Sequence, residues 1–188
     1  ALGDEAGQAR AWWLRSEVDV VACQWCDRAE ALERAIEHAR RAGDTGQEGT
    51  LIRHLAQALV YGPASATNAI ARCEKFLEAA GSDRVLRASL LGSLAVLRAM
   101  RGEFDGARSL YGEARIVYDE LGLSSLRAMR SLVPAEIEPL AGDAAAAERE
   151  LRWGFDMLTA IGERGVRSTL AAYLADALCA QGRFEEAD

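Results

Sequence analysis

Glycine returns along this chain at a nearly constant interval, and that spacing excludes most folds before any residue chemistry is considered. Gly62, Gly102, Gly142 and Gly182 stand 40 residues apart, each between two apolar runs. A second set, Gly43, Gly81, Gly122 and Gly162, follows at intervals of 38, 41 and 40. Fixed periods of about 20 to 50 residues mark arrays in which one small supersecondary unit is stacked on its own copies. Interleaved sets imply a pair of turns in each unit.

Between the turns, apolar residues recur at three and four, Ala, Leu, Arg and Glu dominate, and runs of β-branched residues are nearly absent. That is helical patterning. The spacing predicts A helices at about 6–22, 46–61, 84–101, 124–141 and 164–181, and B helices at about 26–42, 66–80, 104–121 and 144–161, with a further helix opening at "RFEEAD". The hairpins then cover about 6–42, 46–80, 84–121, 124–161 and 164–188. Glycine at a helix end supplies a left-handed residue without a side-chain clash. In "GPASATN", Pro63 ends one helix and Ser65 or Thr67 caps the next.

The side chains flanking the turns specify how the helices approach. In "MRGEFDGARSLYGEA", Gly102 makes the turn, Phe104 fills the gap beside it, Ala107 lets two helices come close, and Tyr111 and Ala114 continue that face. Gly182, Phe184 and Ala187 repeat the first half, and Ala56, Ala95, Ala135 and Ala175 are the small residues on the A helices. At these positions the chain resembles the tetratricopeptide repeat. It departs from the pattern at Cys23 in a glycine slot, Ala144 in an aromatic slot, Gly154 in an alanine slot, and in its period of 40. The resemblance implies an all-α, right-handed α-solenoid of about four and a half hairpins.

"ALERAIEHARRAGD", "YGPASATNAIARCEKFLEAA" and "AMRGEFDGARSLYGEARIVYDELGL" further resemble the helical arrays that follow P-loop ATPase modules in large bacterial signalling proteins, some bearing nucleotide cyclase domains and others LuxR-type DNA-binding domains. The chain, 1–188, is accordingly expected to be a single array within a longer protein. No P-loop, cyclase or DNA-binding helix lies in it.

A net charge of -7 opposes binding that depends on neutralising phosphates, so nucleic acid and anionic membrane are not expected partners. No run approaches the roughly 18 apolar residues of a membrane span, and the N-terminus lacks a signal core, which makes a cytoplasmic location the expectation. Four cysteines, Cys23, Cys26, Cys73 and Cys179, are too few and too unevenly spaced for a disulfide framework. Reduced thiols follow.

Candidate chemistry is sparse. "CQWC" offers one C-x-x-C where a zinc site needs about four ligands, and Cys23 and Trp25 already occupy the turn and aromatic slots. Packing is its expected role. His38 and His54 have no nominated nucleophile or orienting acid beside them. Adjacent Trp12 and Trp13 point about 100° apart on a helix, so they cannot share one core strip. Pro134 and Pro139 fall inside the fourth A helix and predict a bend or local unwinding there.

In the family it resembles, the A helices line a concave groove. Carried onto this chain, the groove positions are Arg10, Trp13 and Glu17, Arg53 and Gln57, Ser89 and Val96, Met129 and Glu136, and Thr169 and Asp176. The implied function is a regulatory scaffold that receives a protein or peptide partner, with no catalytic residue, cofactor or metal. Self-association through array ends and an enzymatic cleft are the competing readings.

Overall fold

The computed structural model describes residues 3–187. Every regular element among them is helical: α1 Glu5–Val21, α2 Trp25–Ala42, α3 Thr45–Tyr61, α4 Ala66–Ala79, α5 Arg84–Ala99, α6 Phe104–Glu120, α7 Ser124–Met129, α8 Leu132–Ile137, α9 Ala144–Ala160, α10 Gly165–Ala180 and α11 Phe184–Ala187. No helix of the described residues is long and apolar enough to cross a membrane. The chain divides into two compact units, the first ending at Ser93 and the second beginning at Leu94, within α5.

Turn chemistry explains where the helices stop. Gly142 adopts φ 78°, its N–H donates to the Pro139 carbonyl at 3.1 Å, and the Asp143 N–H donates to the Glu138 carbonyl at 2.9 Å. This left-handed cap satisfies carbonyls that the helix leaves unpaired. The turn after α1 makes the same pair of bonds, Cys23 to Val20 at 3.1 Å and Gln24 to Asp19 at 2.8 Å, around a cysteine at φ 56°. Gly62 departs from the expected left-handed cap: it is extended, with φ -79° and ψ 175°. Pro63 follows it, and the proline ring pushes the preceding residue into the extended region.

In the first unit, α1 packs on α2, α2 on α3, and α3 on α4. Ala31, Leu32, Ala35, Ile36 and Ala39 bury the face of α2, and Leu51, Leu55, Ala56 and Leu59 bury that of α3. Side-chain caps hold the helix starts: the Asp4, Asp44 and Ser65 side chains accept from the backbone N–H groups of Gly7, Gln47 and Asn68.

In the second unit, α7 and α8 pack on α9, and α9 on α10. Its core joins Ala128, Ala135, Ala147, Leu151, Leu158, Leu170 and Ala177. Ala107, Tyr111 and Ala114 are buried on α6, as their spacing requires. Trp153 packs against this core, with the Arg127 guanidinium 3.6 Å from its ring centroid.

The single helix expected over 124–141 is instead a pair of short ones, α7 and α8, parted at Arg130 and Ser131. Pro134 has no N–H to give the Arg130 carbonyl, so the helical ladder fails one turn before the proline. Ser131 is fully buried at the break, directly over Gly154 of α9. A Cβ on Gly154 would lie 2.6 Å from the Ser131 hydroxyl oxygen and 2.9 Å from the Ala128 carbonyl oxygen. The departure from alanine at Gly154 therefore has a packing cause.

Candidate functional site

Trp13 and Glu17 stand four residues apart, which puts them on one face of α1. Trp12, a residue earlier, turns to α2, where the Arg34 guanidinium lies 4.5 Å from its ring centroid. Trp13 meets α3 instead, its ring tilted 44° against His54 at 5.9 Å. The adjacent tryptophans thus take separate neighbours.

Around Trp13 and Glu17 the first unit assembles a polar and aromatic cluster from three helices. Arg28 of α2, only 2% exposed, donates from Nη2 to His54 Nδ1 at 3.3 Å. A guanidinium can only donate, so this imidazole nitrogen accepts. Glu17 Oε1 lies 3.8 Å from Arg28 Nη2 and 4.0 Å from His54 Nδ1. Burial pulls the Arg28 guanidinium below its ordinary value, and the Glu17 charge opposes that pull. The Arg28 guanidinium also lies 5.2 Å from the Trp25 ring centroid, and Trp25 packs on Tyr61 at 4.9 Å. Trp13 Nε1, Glu17 Oε1, and Nε and Nη1 of Arg28 are buried without a hydrogen-bond partner. Such orphans are costly, and a cluster of them is where polar ligands or trapped water are accommodated.

The other expected groove residues distribute unevenly. Arg10 is exposed on α1, and Arg53 and Gln57 are half-buried on α3, with Arg53 donating to the Thr50 hydroxyl at 3.1 Å. Met129 on α7 and Glu136 on α8 are half-buried, and Thr169 and Asp176 on α10 are exposed. Ser89 and Val96 are corrected: both are buried in α5 and offer no surface to a partner. Most of α5 from Leu86 to Ala99 is buried, whereas Arg84 and Arg87 are exposed.

The second unit holds a cavity of about 460 Å³ where α8, α9 and α10 meet, with Tyr173 and Asp176 on its wall. A smaller cleft of about 210 Å³ is lined by Arg108 and the buried Tyr111, and there Glu138 accepts from Arg108 Nε at 3.1 Å and from Nη2 at 2.6 Å. That bidentate pair raises the Arg108 guanidinium. His38 is tied by Nδ1 to Glu5 Oε2 at 2.7 Å, an ordinary interhelical link. Cys23, Cys26 and Cys179 are exposed, whereas the buried Cys73 thiol is pushed up to about 12 by desolvation. Among the described residues no group of three or more His, Cys, Asp or Glu has the arrangement of a metal site.

Sequence reasoning named Trp13 and Glu17 but missed Arg28, which reads in "CDRAEALER" as another surface arginine. Its signal lies in the spacing: Arg28 follows Cys23 by five, as Ala107 follows Gly102, so it occupies a slot meant for a small buried residue. Compared with known proteins, the chain matches no family model and no curated sequence.

Proposed function

We propose that the chain is a protein-interaction module, a right-handed series of tetratricopeptide-like hairpins whose A helices present a groove to a protein or peptide partner. The recurrence of one left-handed turn, with the same pair of backbone bonds, at Cys23, Gly102, Gly142 and Gly182 carries this reading. Turns of one kind 40 residues apart, or about twice that where Gly62 is extended, favour hairpins stacked in series, whose concave side is a long surface that a partner can span. Accessible Arg10, Arg53, Gln57, Met129, Thr169 and Asp176 supply mixed polar and apolar contacts. By resemblance, the parent is a bacterial signal-transduction or transcription regulator, and partner binding here biases its output domain. The module itself has no catalytic residue, cofactor or metal in this reading.

Peptides selected against the intact chain from a random display library test the proposal. Binding is expected to fall at least tenfold in an Arg53→Glu, Gln57→Ala double variant and to persist in Arg115→Ala on α6. Failure to select any peptide, or equal losses in both variants, overturns it.

A second reading, self-association, rests on a separate observation. Leu14, Val18 and Val21 form an exposed apolar stripe on α1 at steps of four and three. Sedimentation across a concentration series decides: a dimer abolished by Leu14→Gln, Val18→Gln supports it, and a monomer throughout rules it out.

A further inference from the structure

The turns after α1 and α8 make the same backbone bonds: the Gln24 N–H donates to the Asp19 carbonyl at 2.8 Å, and the Asp143 N–H donates to the Glu138 carbonyl at 2.9 Å. Asp19 and Glu138 are therefore equivalent, 119 residues apart (138 − 19). The register extends to the surface beside them. Among the residues lining a cleft of about 270 Å³ between α1 and α2 are Arg15, Asp19, Asp27, Glu30 and Ala31. Their counterparts 119 residues on are Pro134, Glu138, Ala146, Arg149 and Glu150, and all five line the smaller cleft of the second unit. One surface occurs twice.

What differs is a third wall. In the second unit that wall is α6, whose Arg108 donates to Glu138 from Nε at 3.1 Å and from Nη2 at 2.6 Å, whose Arg115 donates to Glu150 at 3.0 Å, and whose Tyr111 is buried. Ile137, on the same cleft, and Val133 before it are buried as well. Their counterparts on α1, Val18 and Leu14, are 65% and 66% exposed. Asp19 is only 1% exposed, yet a single one of its oxygens is held: Arg15 Nε donates to Oδ1 at 3.0 Å, and Oδ2 is buried without a hydrogen-bond partner. An unpaired buried carboxylate oxygen is costly, and Arg15, largely exposed, can move aside for a better donor. Three carboxylates, Asp19, Asp27 and Glu30, stand against two arginines on this cleft, so it favours a cation.

We propose that this face of α1 and α2 docks a helix of a partner protein in the way that α8 and α9 hold α6: an amphipathic helix whose arginine takes the unpaired oxygen of Asp19 and whose apolar side covers Leu14 and Val18. Arginine is specified over lysine because Glu138, the equivalent acid, is met by a two-pronged fork. The inference does not rest on the concave groove, and it gives to a helix of different sequence the stripe that self-association would give to a second copy.

The probe is a synthetic peptide of α6, Phe104–Glu120, with Gly106→Ala and Gly112→Ala to raise its helicity. A Cβ at Gly112 meets nothing within 4 Å, and one at Gly106 meets only the Arg98 guanidinium at 3.9 Å. Titrated into the intact chain, the peptide is expected to saturate below about 1 mM and to shift amide NMR signals of α1 and α2. Arg108→Ala or Arg108→Lys in the peptide should weaken binding roughly fivefold or more, as should Asp19→Asn in the chain, and the peptide and chain changes together should cost no more than either alone. Leu14→Gln, Val18→Gln should weaken it roughly tenfold or more, and these exposed positions keep the test decisive should Asp19→Asn not fold. The proposal is overturned by no saturable binding, by shifts confined to α7, α8 and α9, by affinity unchanged in Asp19→Asn or in the Leu14, Val18 variant, or by a dimer of the chain that excess peptide leaves intact.

Discussion

Cys23 holds a backbone conformation that favours glycine, at φ 56°. A side chain in the left-handed region costs roughly 1–2 kcal/mol, part of which glycine returns as unfolded-state entropy. Cys23→Gly is therefore expected to raise stability by up to about 1 kcal/mol in urea unfolding. An unchanged or lowered midpoint would place the strain elsewhere. Cys73 differs in kind: buried, with its thiol pushed up to about 12, it should resist a thiol reagent that modifies Cys23, Cys26 and Cys179, and react only with the unfolded chain. Timed labelling with mass detection reads the order directly. Arg53→Ala, on a half-buried helix face, should leave stability within about 0.5 kcal/mol.

At the scale of elements, contacts between small residues decide the outcome. Ala107 is fully buried, and Ala107→Leu is expected to cost about 1–3 kcal/mol by overpacking between helices. Gly154→Ala should cost a similar amount, because the break between α7 and α8 brings Ser131 and the Ala128 carbonyl against it. A Gly154→Ala protein as stable as the parent would show that the break can move. Apart from the fourth A helix, expected to run to 141 and ending at Ile137, helix ends were legible in the sequence to within about two residues, because glycine, proline and capping side chains mark them locally. The break was legible as a bend or local unwinding, but not as two separate helices. Pro134 announces a missing donor, but the choice between kink and rupture depends on the close approach of α9, and that comes from Gly154, twenty residues away. Gly62 shows the opposite: its extended cap was readable from Pro63 alone, and the glycine periodicity concealed it.

For the whole molecule, charge is organised so that acids are held at helix junctions. Glu148 accepts from Arg152 Nε at 2.7 Å, Gln181 Nε2 at 2.8 Å and Arg183 Nη1 at 2.6 Å, tying α9 to the turn before α11. The Arg152 bond leads in holding its carboxyl below the usual glutamate range. A depressed folded value adds stability above the ordinary glutamate pKa of about 4.3, which is lost as the pH falls through the folded value. Melting temperature should thus fall less steeply below pH 5 in Glu148→Gln than in the parent. The candidate sites were the least legible feature. Burial of Arg28, Ser89 and Val96 depends on residues distant in sequence. Indole placement also has an experimental consequence. Trp12, Trp13 and Trp25 belong to the first unit and Trp153, under its arginine, to the second, so a chain with the first three changed to phenylalanine would show indole emission from one half alone. Whether the halves melt together or in succession then becomes an optical measurement.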